Sequence, residues 1–459
     1  MSTAQGRSST TRFALKLAAA VIAVIVAVYF LLLSDLQRTR KWRLDRLHAL
    51  GVPTTWADAA PPPVPDKDNA AILYQKAFGL LSVSDADRDV IRRFVRDKPP
   101  GARKRLRTQV QAILTRNRAS LAVLPRAAAM PRCRFPLNWD AAPPDILVPH
   151  LGKLRFCATM LVADALVAAQ EGETDRATAS YRTCLRMCAH AAQEPMTISF
   201  LMAAAVEKDA LNALPDVVDR VPFAADRRAL YDDLARLDFD TGFQRGQITN
   251  AAWTLWYFGA AEKQPEKVRE LFRGFAVLDD PPGSASSDLV PRPLVNLYLS
   301  PLAKALRLKE EIAYAQALEE ILPLSAKRYR MAKTRCERVE AKMRSASTYY
   351  LIIQFVAPLN MYSATTRDRA IAMRDAMEIA LALKAYHLKH GRYPQSLDAL
   401  RDYPSWKLNE DPFSGKPFVY HRKGAGFVLY SWGPDLKDDG GQALDPKSRQ
   451  GDLVWQFRR

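Results

Sequence analysis

From Leu17 to Leu33 the chain runs LAAAVIAVIVAVYFLLL without a charged residue, and Phe13-Ala14-Leu15 precede it across a single Lys16. As a helix from Phe13 this stretch would be roughly 31 Å long at ~1.5 Å per residue, about the thickness of a bilayer's hydrocarbon core. Lys16 stands near one end, where its ammonium reaches the headgroups at little cost. The alternative is a cleaved signal peptide. The run is long for one, no small-residue cleavage site follows, and no cysteine stands just after it for lipid attachment. The reading is an uncleaved single-pass anchor over 13–33, behind a short polar tail over 1–12. Basic residues flank both ends: Arg7, Arg12 and Lys16 on one side, Arg38, Arg40, Lys41, Arg43 and Arg46 on the other. Counting them therefore does not set the topology.

Beyond the anchor the pattern is helical. Glycine is scarce at 19 residues while proline reaches 30, which suits helices punctuated by proline and disfavours a glycine-rich nucleotide fold. A juxtamembrane helix is expected over Leu36 to Leu50. A stiff spacer through Pro61-Pro62-Pro63 should follow, so that 34–65 holds the rest off the bilayer. Residues 66–359 read as a large α-helical domain, opened by a helix with Asp68 as its N-cap. Within it, 150–195 reads as a helical hairpin around Glu171-Gly172-Glu173-Thr174. Ala165, Gly172, Ala177 and Tyr181 give it a partial resemblance to a tetratricopeptide repeat, while Asp164 and Ala168 depart from that pattern. No second copy follows at the repeat period. The apolar run Tyr349 to Leu359 is too short to cross a bilayer and reads as a buried segment.

The last hundred residues change character. Arg367 to His390 carries one apolar stripe (Ala372, Ala376, Ile379, Leu383, Tyr386) and should stop at Gly391, with Pro394 barring continuation. Short β-prone runs follow at Pro417 to His421 and Gly426 to Ser431, and Leu453 to Phe457 closes as a last strand. The ordered motifs AYHLKHGRYP, SLDAL, DPFSGKPFVY, GFVLYSWGPD, DDGG and GDLVW resemble the globular domain of the major pseudopilin of type II secretion. The resemblance covers about a fifth of the chain and implies an α+β domain over 367–459, a long helix on a small antiparallel sheet. The chain departs from that family in having no glutamate at the expected place after Gly6, and in the extra Ser414. A borrowed domain fits better than a processed filament subunit. The whole layout is also similar to bacterial envelope proteins, a likeness that carries no function with it. The expected fold class is therefore mainly α: an N-terminal transmembrane helix, a large helical domain and a small pseudopilin-like α+β domain.

The loop before the last strand interleaves Asp435, Asp438, Asp439, Asp445 and Asp452 with glycines, a composition that suits a hard cation. The resemblance implies calcium held by Asp435, Asp452 and the carbonyl of Trp432; Asp438 and Asp439 join by composition only. The alternative is a solvated turn neutralised by Lys437 and Lys447. The arginine-rich stretch from Arg88 to Arg118 reads as a solvated face or a surface for anionic lipid. No nucleic-acid reader motif accompanies it, and nucleic acid is not expected as a partner. Five cysteines include Cys184 and Cys188 on one helix face, expected as buried apolar groups, and a Cys133–Cys157 bridge is open. His387 and His390 lack partners at ligand spacing, and no hydrolase, zincin or phosphate-loop motif is found. The expectation is a non-enzymatic scaffold or assembly protein of the bacterial inner membrane. Its C-terminal bulk would lie in the periplasm among envelope protein partners, linked through the resemblance to secretion or pilus-type machinery. An adapter or receptor binding peptide or surface polymer in helical grooves is the alternative.

Overall fold

The computed structural model describes residues 3–96, 102–146, 148–218, 227–274, 290–346, 350–356, 359–401, 409–445, 448 and 450–457. The proline-glycine break at 99–101, the loop at 279–287 and Lys447 lie outside them. In chain order the helices are α1 (Thr3–Ala49), α2 (Ala70–Gly79), α3 (Asp85–Arg96), α4 (Ala102–Arg116), α5 (Arg118–Ala128), α6 (Pro149–Glu171), α7 (Thr174–Ala191) and α8 (Thr197–Val218). They continue as α9 (Arg227–Ala235), α10 (Phe239–Lys263), α11 (Pro265–Gly274), α12 (Arg292–Leu299), α13 (Lys304–Ile321), α14 (Tyr329–Ala346), α15 (Leu351–Val356) and α16 (Leu359–His390). The strands are β1 (Val419–Lys423), β2 (Gly426–Ser431) and β3 (Leu453–Phe457). The protein is mainly helical with a small C-terminal antiparallel sheet.

Packing divides the chain into two units, and the division differs from the 66–359 and 367–459 boundaries expected above. The first unit gathers Met1–Thr54, Trp253–Ile321 and Val339–Ala357. Its spine is α1, and here the expected separate juxtamembrane helix gives way to one unbroken helix. No proline or glycine stands between Leu33 and Leu47 to end it, so Ser34 and Asp35 are carried through rather than acting as a cap. From Leu15 to Val28 the apolar part of α1 is exposed and suited to lipid. Further on, α1 packs along α13 through ion pairs from Arg40 to Glu311 (2.6 Å) and from Arg43 and Arg46 to Glu319 (2.9 and 3.0 Å). Both glutamates are nearly buried, so these pairs count for more than exposed ones.

The second unit holds Thr55–Ala252, Leu322–Arg338 and Pro358–Arg459. The segment expected as a free spacer contributes to it: Trp56 is buried and its ring lies 5.2 Å from that of Trp139. The cap of α2 is Asn69 rather than Asp68, because Asn69 is extended and its side chain accepts from the Ala71 amide. Gly172, at φ +77°, turns α6 into α7, and Ala165, Ala177 and Tyr181 are fully buried in the hairpin core. Asp164, the departure from the repeat pattern, is explained by its partners. It accepts from Ser180 Oγ (2.6 Å) and pairs with Arg176 of α7.

Helix α16 starts at Leu359, ahead of the expected Arg367, because no breaker stands between them. Gly391 ends it at φ +70°, as expected. One core joins residues of α2 to α9 and α16 with Phe413, Phe427, Leu429 and Trp455 of the C-terminal segment. The sheet order is β1-β2-β3, all antiparallel, with Lys423 opposite Gly426 at a tight turn and Leu429 opposite Trp455. Gly424 supplies the positive φ that this hairpin turn needs.

Candidate functional site

The acidic loop is organised by two buried carboxylates. Asp411 begins the turn that leads into β1 and is 1% exposed. It accepts from the amides of Phe413 and Ser414 (both 3.1 Å), from Ser431 Oγ at the end of β2 (2.7 Å) and from the Trp432 amide (3.3 Å). The extra Ser414 thus sits inside the Asp411 turn. Asp452, fully buried just before β3, accepts from the amides of Gly441 (2.7 Å) and Asp439 (3.3 Å) and so closes the loop onto the sheet. Gly433, at φ +73°, crosses Gly451 so closely that an added Cβ would lie 2.7 Å from the Gly451 carbonyl oxygen. No side chain fits there.

The other expected ligands surround this crossing. Asp435 accepts from the Gly451 and Lys437 amides, and Asp438 from Tyr430 Oη (3.2 Å) and the Gly440 amide. Burial raises the Asp452 carboxyl above its usual range, opposed by its two amide donors and reinforced by the charges of Asp438 and Asp439. Asp452, Asp438 and Asp439 are therefore electrostatic neighbours. The carboxylates of Asp435, Asp438 and Asp452 accept from loop donors, and among the described residues no three His, Cys, Asp or Glu side chains are grouped as a metal site. Trp432 lies with its ring under the Lys416 ammonium, 4.6 Å from the centroid.

A second feature, in the same unit, was invisible in the sequence. A cleft of about 420 Å³ opens between the proline segment at Pro61-Pro62 and the chain around Phe135 and Trp139. Glu194 lines it. One of its oxygens takes His150 Nε2 at 2.9 Å, while Oε1 is buried without a partner. Arg134 Nε is likewise buried and unpartnered. Arg132 and Arg245 also line the cleft, and neither forms an ion pair among the described residues. The wall is thus apolar and aromatic, and the polar atoms in it are mostly cationic.

The remaining candidates are structural. Within the arginine-rich stretch, Arg93, Arg96, Arg103, Arg107 and Arg116 each pair with an acid, so much of its charge is neutralised locally. All five cysteines are free and buried, which corrects the Cys133–Cys157 bridge left open above. Burial pushes the Cys157 thiol up to about 12 and raises Cys133, Cys184 and Cys188 as well, so none of the four is poised as a nucleophile. His190 is held neutral: burial lowers it to about 4, Tyr74 Oη donates to Nδ1 and Nε2 donates to the Met130 carbonyl. His387 and His390 pack against Tyr393 and Tyr386, at 4.5 and 4.2 Å between centroids.

Compared with family models, with curated proteins and with solved structures, the chain matches none of them. Functional readings therefore rest on its own geometry.

Proposed function

We propose that the protein is a non-enzymatic scaffold or assembly factor anchored by α1 in the bacterial inner membrane, with its folded bulk in the periplasm. The observation that carries this reading is the continuity of α1. An apolar, exposed span passes without a break into a helix clamped to α13 by nearly buried ion pairs. Such a joint holds a folded body at a fixed place beside a membrane, which is what a scaffold requires. The long α16 and the three antiparallel strands are compatible with the pseudopilin-like resemblance, and from it comes the proposed link to secretion or pilus-type machinery.

Two measurements test the proposal. Alkaline phosphatase fused after Arg459 should be active; an inactive fusion would put the bulk in the cytoplasm and remove the periplasmic role. Photo-crosslinking residues placed on the exposed face of the second unit should, in intact cells, give discrete adducts with envelope proteins. Absence of adducts at every position would count against a scaffold.

A second reading is favoured by one specific observation, the unpartnered Arg134 Nε and Glu194 Oε1 beside unpaired Arg132 and Arg245. A cleft of this chemistry would take an anionic, hydroxyl-bearing chain such as an acidic surface polysaccharide. Calorimetric titration with oligouronates against neutral oligosaccharides of equal length tests it. Heat from the acidic series that disappears in Arg134→Ala supports it, and equal, weak heats from both would end it.

A further inference from the structure

Helix α13 runs parallel to α1, because Arg40 meets Glu311 while Arg43 and Arg46, further along, meet Glu319. This register fixes the height of the start of α13. Lys304 precedes Glu311 by seven residues, and the same distance back along α1 from Arg40 reaches Leu33. Worked from Glu319, fifteen residues on from Lys304, it reaches Val28 to Leu31. Burial along α1 agrees. Leu33 is 8% exposed, Tyr29 is half-buried and its hydroxyl is shielded, whereas Leu15 to Val28 is exposed throughout. The first unit therefore begins to cover α1 within the last turn of its apolar span, at the depth where hydrocarbon gives way to headgroups.

At that depth sits the corner between α12 and α13. Its outward residues are largely apolar: Leu302 is 82% exposed and Leu297 57%, with Pro293 and Pro301 exposed beside them and Arg292 and Asn296 the exposed polar members. The corner is rigid. The buried Arg307 donates to the carbonyls of Tyr298 and Ser300, and Tyr298 Oη donates to the buried Glu310 at 2.5 Å. Two leucines held outward by a buried Arg-Tyr-Glu set cost free energy in water, and in the interfacial layer they would contribute it.

We infer that the corner at Leu297–Leu302 is a second membrane contact, dipping its leucines into the edge of the bilayer beside the point where α1 emerges. The occupant of this face is lipid. The inference rests on α1 spanning the membrane, and the test separates the two claims. Cysteines at Val24, Leu297, Leu302 and Lys309 would each carry an environment-sensitive fluorophore on the full chain in nanodiscs of phosphatidylcholine and phosphatidylglycerol, with unlabelled wild type controlling for the buried native thiols. Labels at Leu297 and Leu302 should be quenched by nitroxide-bearing lipid as strongly as the label at Val24, and should lose quenching by aqueous iodide. The label at Lys309, about 10 Å further along α13, should show the reverse. Iodide quenching at Leu302 equal to that at Lys309, with Val24 still in lipid, overturns the contact and leaves the anchor standing. Shielding of Leu302 from both quenchers means protein covers it and overturns it also. Iodide access at Val24 removes the anchor and the contact together.

Discussion

Replacing Glu207 with methionine should raise stability at pH 8 and change it little at pH 4.5. Glu207 lies on α8, fully buried, and neither carboxylate oxygen has a hydrogen-bond partner. Burial raises its pKa well above 4.5, opposed by Arg374 and reinforced by Asp375. Arg374 is already engaged with Asp375 at 2.8 Å, so it offers Glu207 little counter-charge. A raised acid binds its proton in the folded state while the unfolded chain releases it above pH 4.5. Its stability contribution is thus complete below that pH and is lost as pH rises toward the folded pKa, at about 1.4 kcal/mol per unit. Methionine, of similar volume and with no proton to hold, removes that loss. His190 acts with the opposite sign. Its folded pKa is lowered from 6.5 to about 4, so its contribution is present above 6.5 and lost as pH falls through that window. Between about pH 4.5 and 6.5 the slopes of Glu207 and His190 oppose each other in the wild type, and the raised Glu310 acts with the sign of Glu207. Urea midpoints of the full chain in nanodiscs, read by tryptophan fluorescence from pH 4.5 to 8, measure both profiles. Glu207→Met should gain on the wild type as pH rises above 4.5, with an unchanged m-value. A variant less stable than wild type at pH 8 would mean that Glu207 is ionised and paired, and would refute the reasoning.

Three further outcomes are expected. Arg367→Met should cost about 3–5 kcal/mol by urea unfolding, because it strands the fully buried Asp368 and releases the carbonyls of Ser325 and Lys327; replacing Asp368 as well should recover much of the loss. If the acidic loop takes calcium, as the family resemblance implies, the melting point of the full chain rises with added calcium, by about 2.7 kcal/mol of stability at a hundredfold excess over the dissociation constant. Asp435→Ala and Asp452→Ala should abolish that rise and Asp445→Ala should leave most of it, while a wild-type melting point indifferent to calcium would reduce the loop to a folded turn. Ellman's reagent should find no reactive thiol in the native protein and five after denaturation; fast reaction of any one would contradict the burial of all five.

Features written in local chemistry were legible in the sequence. The long apolar helix announced itself by length without charge, the end of α16 by Gly391 before Pro394, and the β1–β2 turn by Gly424. Where the chain lacked punctuation, the reading cut helices short. Nothing stops α1 at Leu33 or starts α16 at Arg367, and each runs on until a breaker or the end of its packing intervenes. Asn69 and Asp68 are both good caps, and only the extended backbone of Asn69 decides between them. Glu207 was hidden beside Lys208 and Asp209, a charged triplet that reads as surface. On a helix each step turns the side chain by about 100°, so Glu207 is buried while Lys208 next to it is exposed. The cleft brings together residues near 61, 134, 194 and 245, and no local pattern links positions so far apart. In the acidic loop the composition left a cation site and a solvated turn both open, and it could not show which amides donate to Asp435, Asp438 and Asp452.

The continuity of α1 has a mechanical consequence. A protein tethered by a loose linker is indifferent to what its anchor does in the bilayer, since the linker absorbs every motion. Here the helix that is long and apolar enough to span a bilayer is also a beam of the first unit, held to α13 at Arg40 and again at Arg43 and Arg46. A change in membrane thickness that tilts the shaft, or a neighbouring helix that twists it, must swing that unit by the same angle. A bilayer around the apolar part of α1 would thereby pass its own geometry, without a joint, to the first unit.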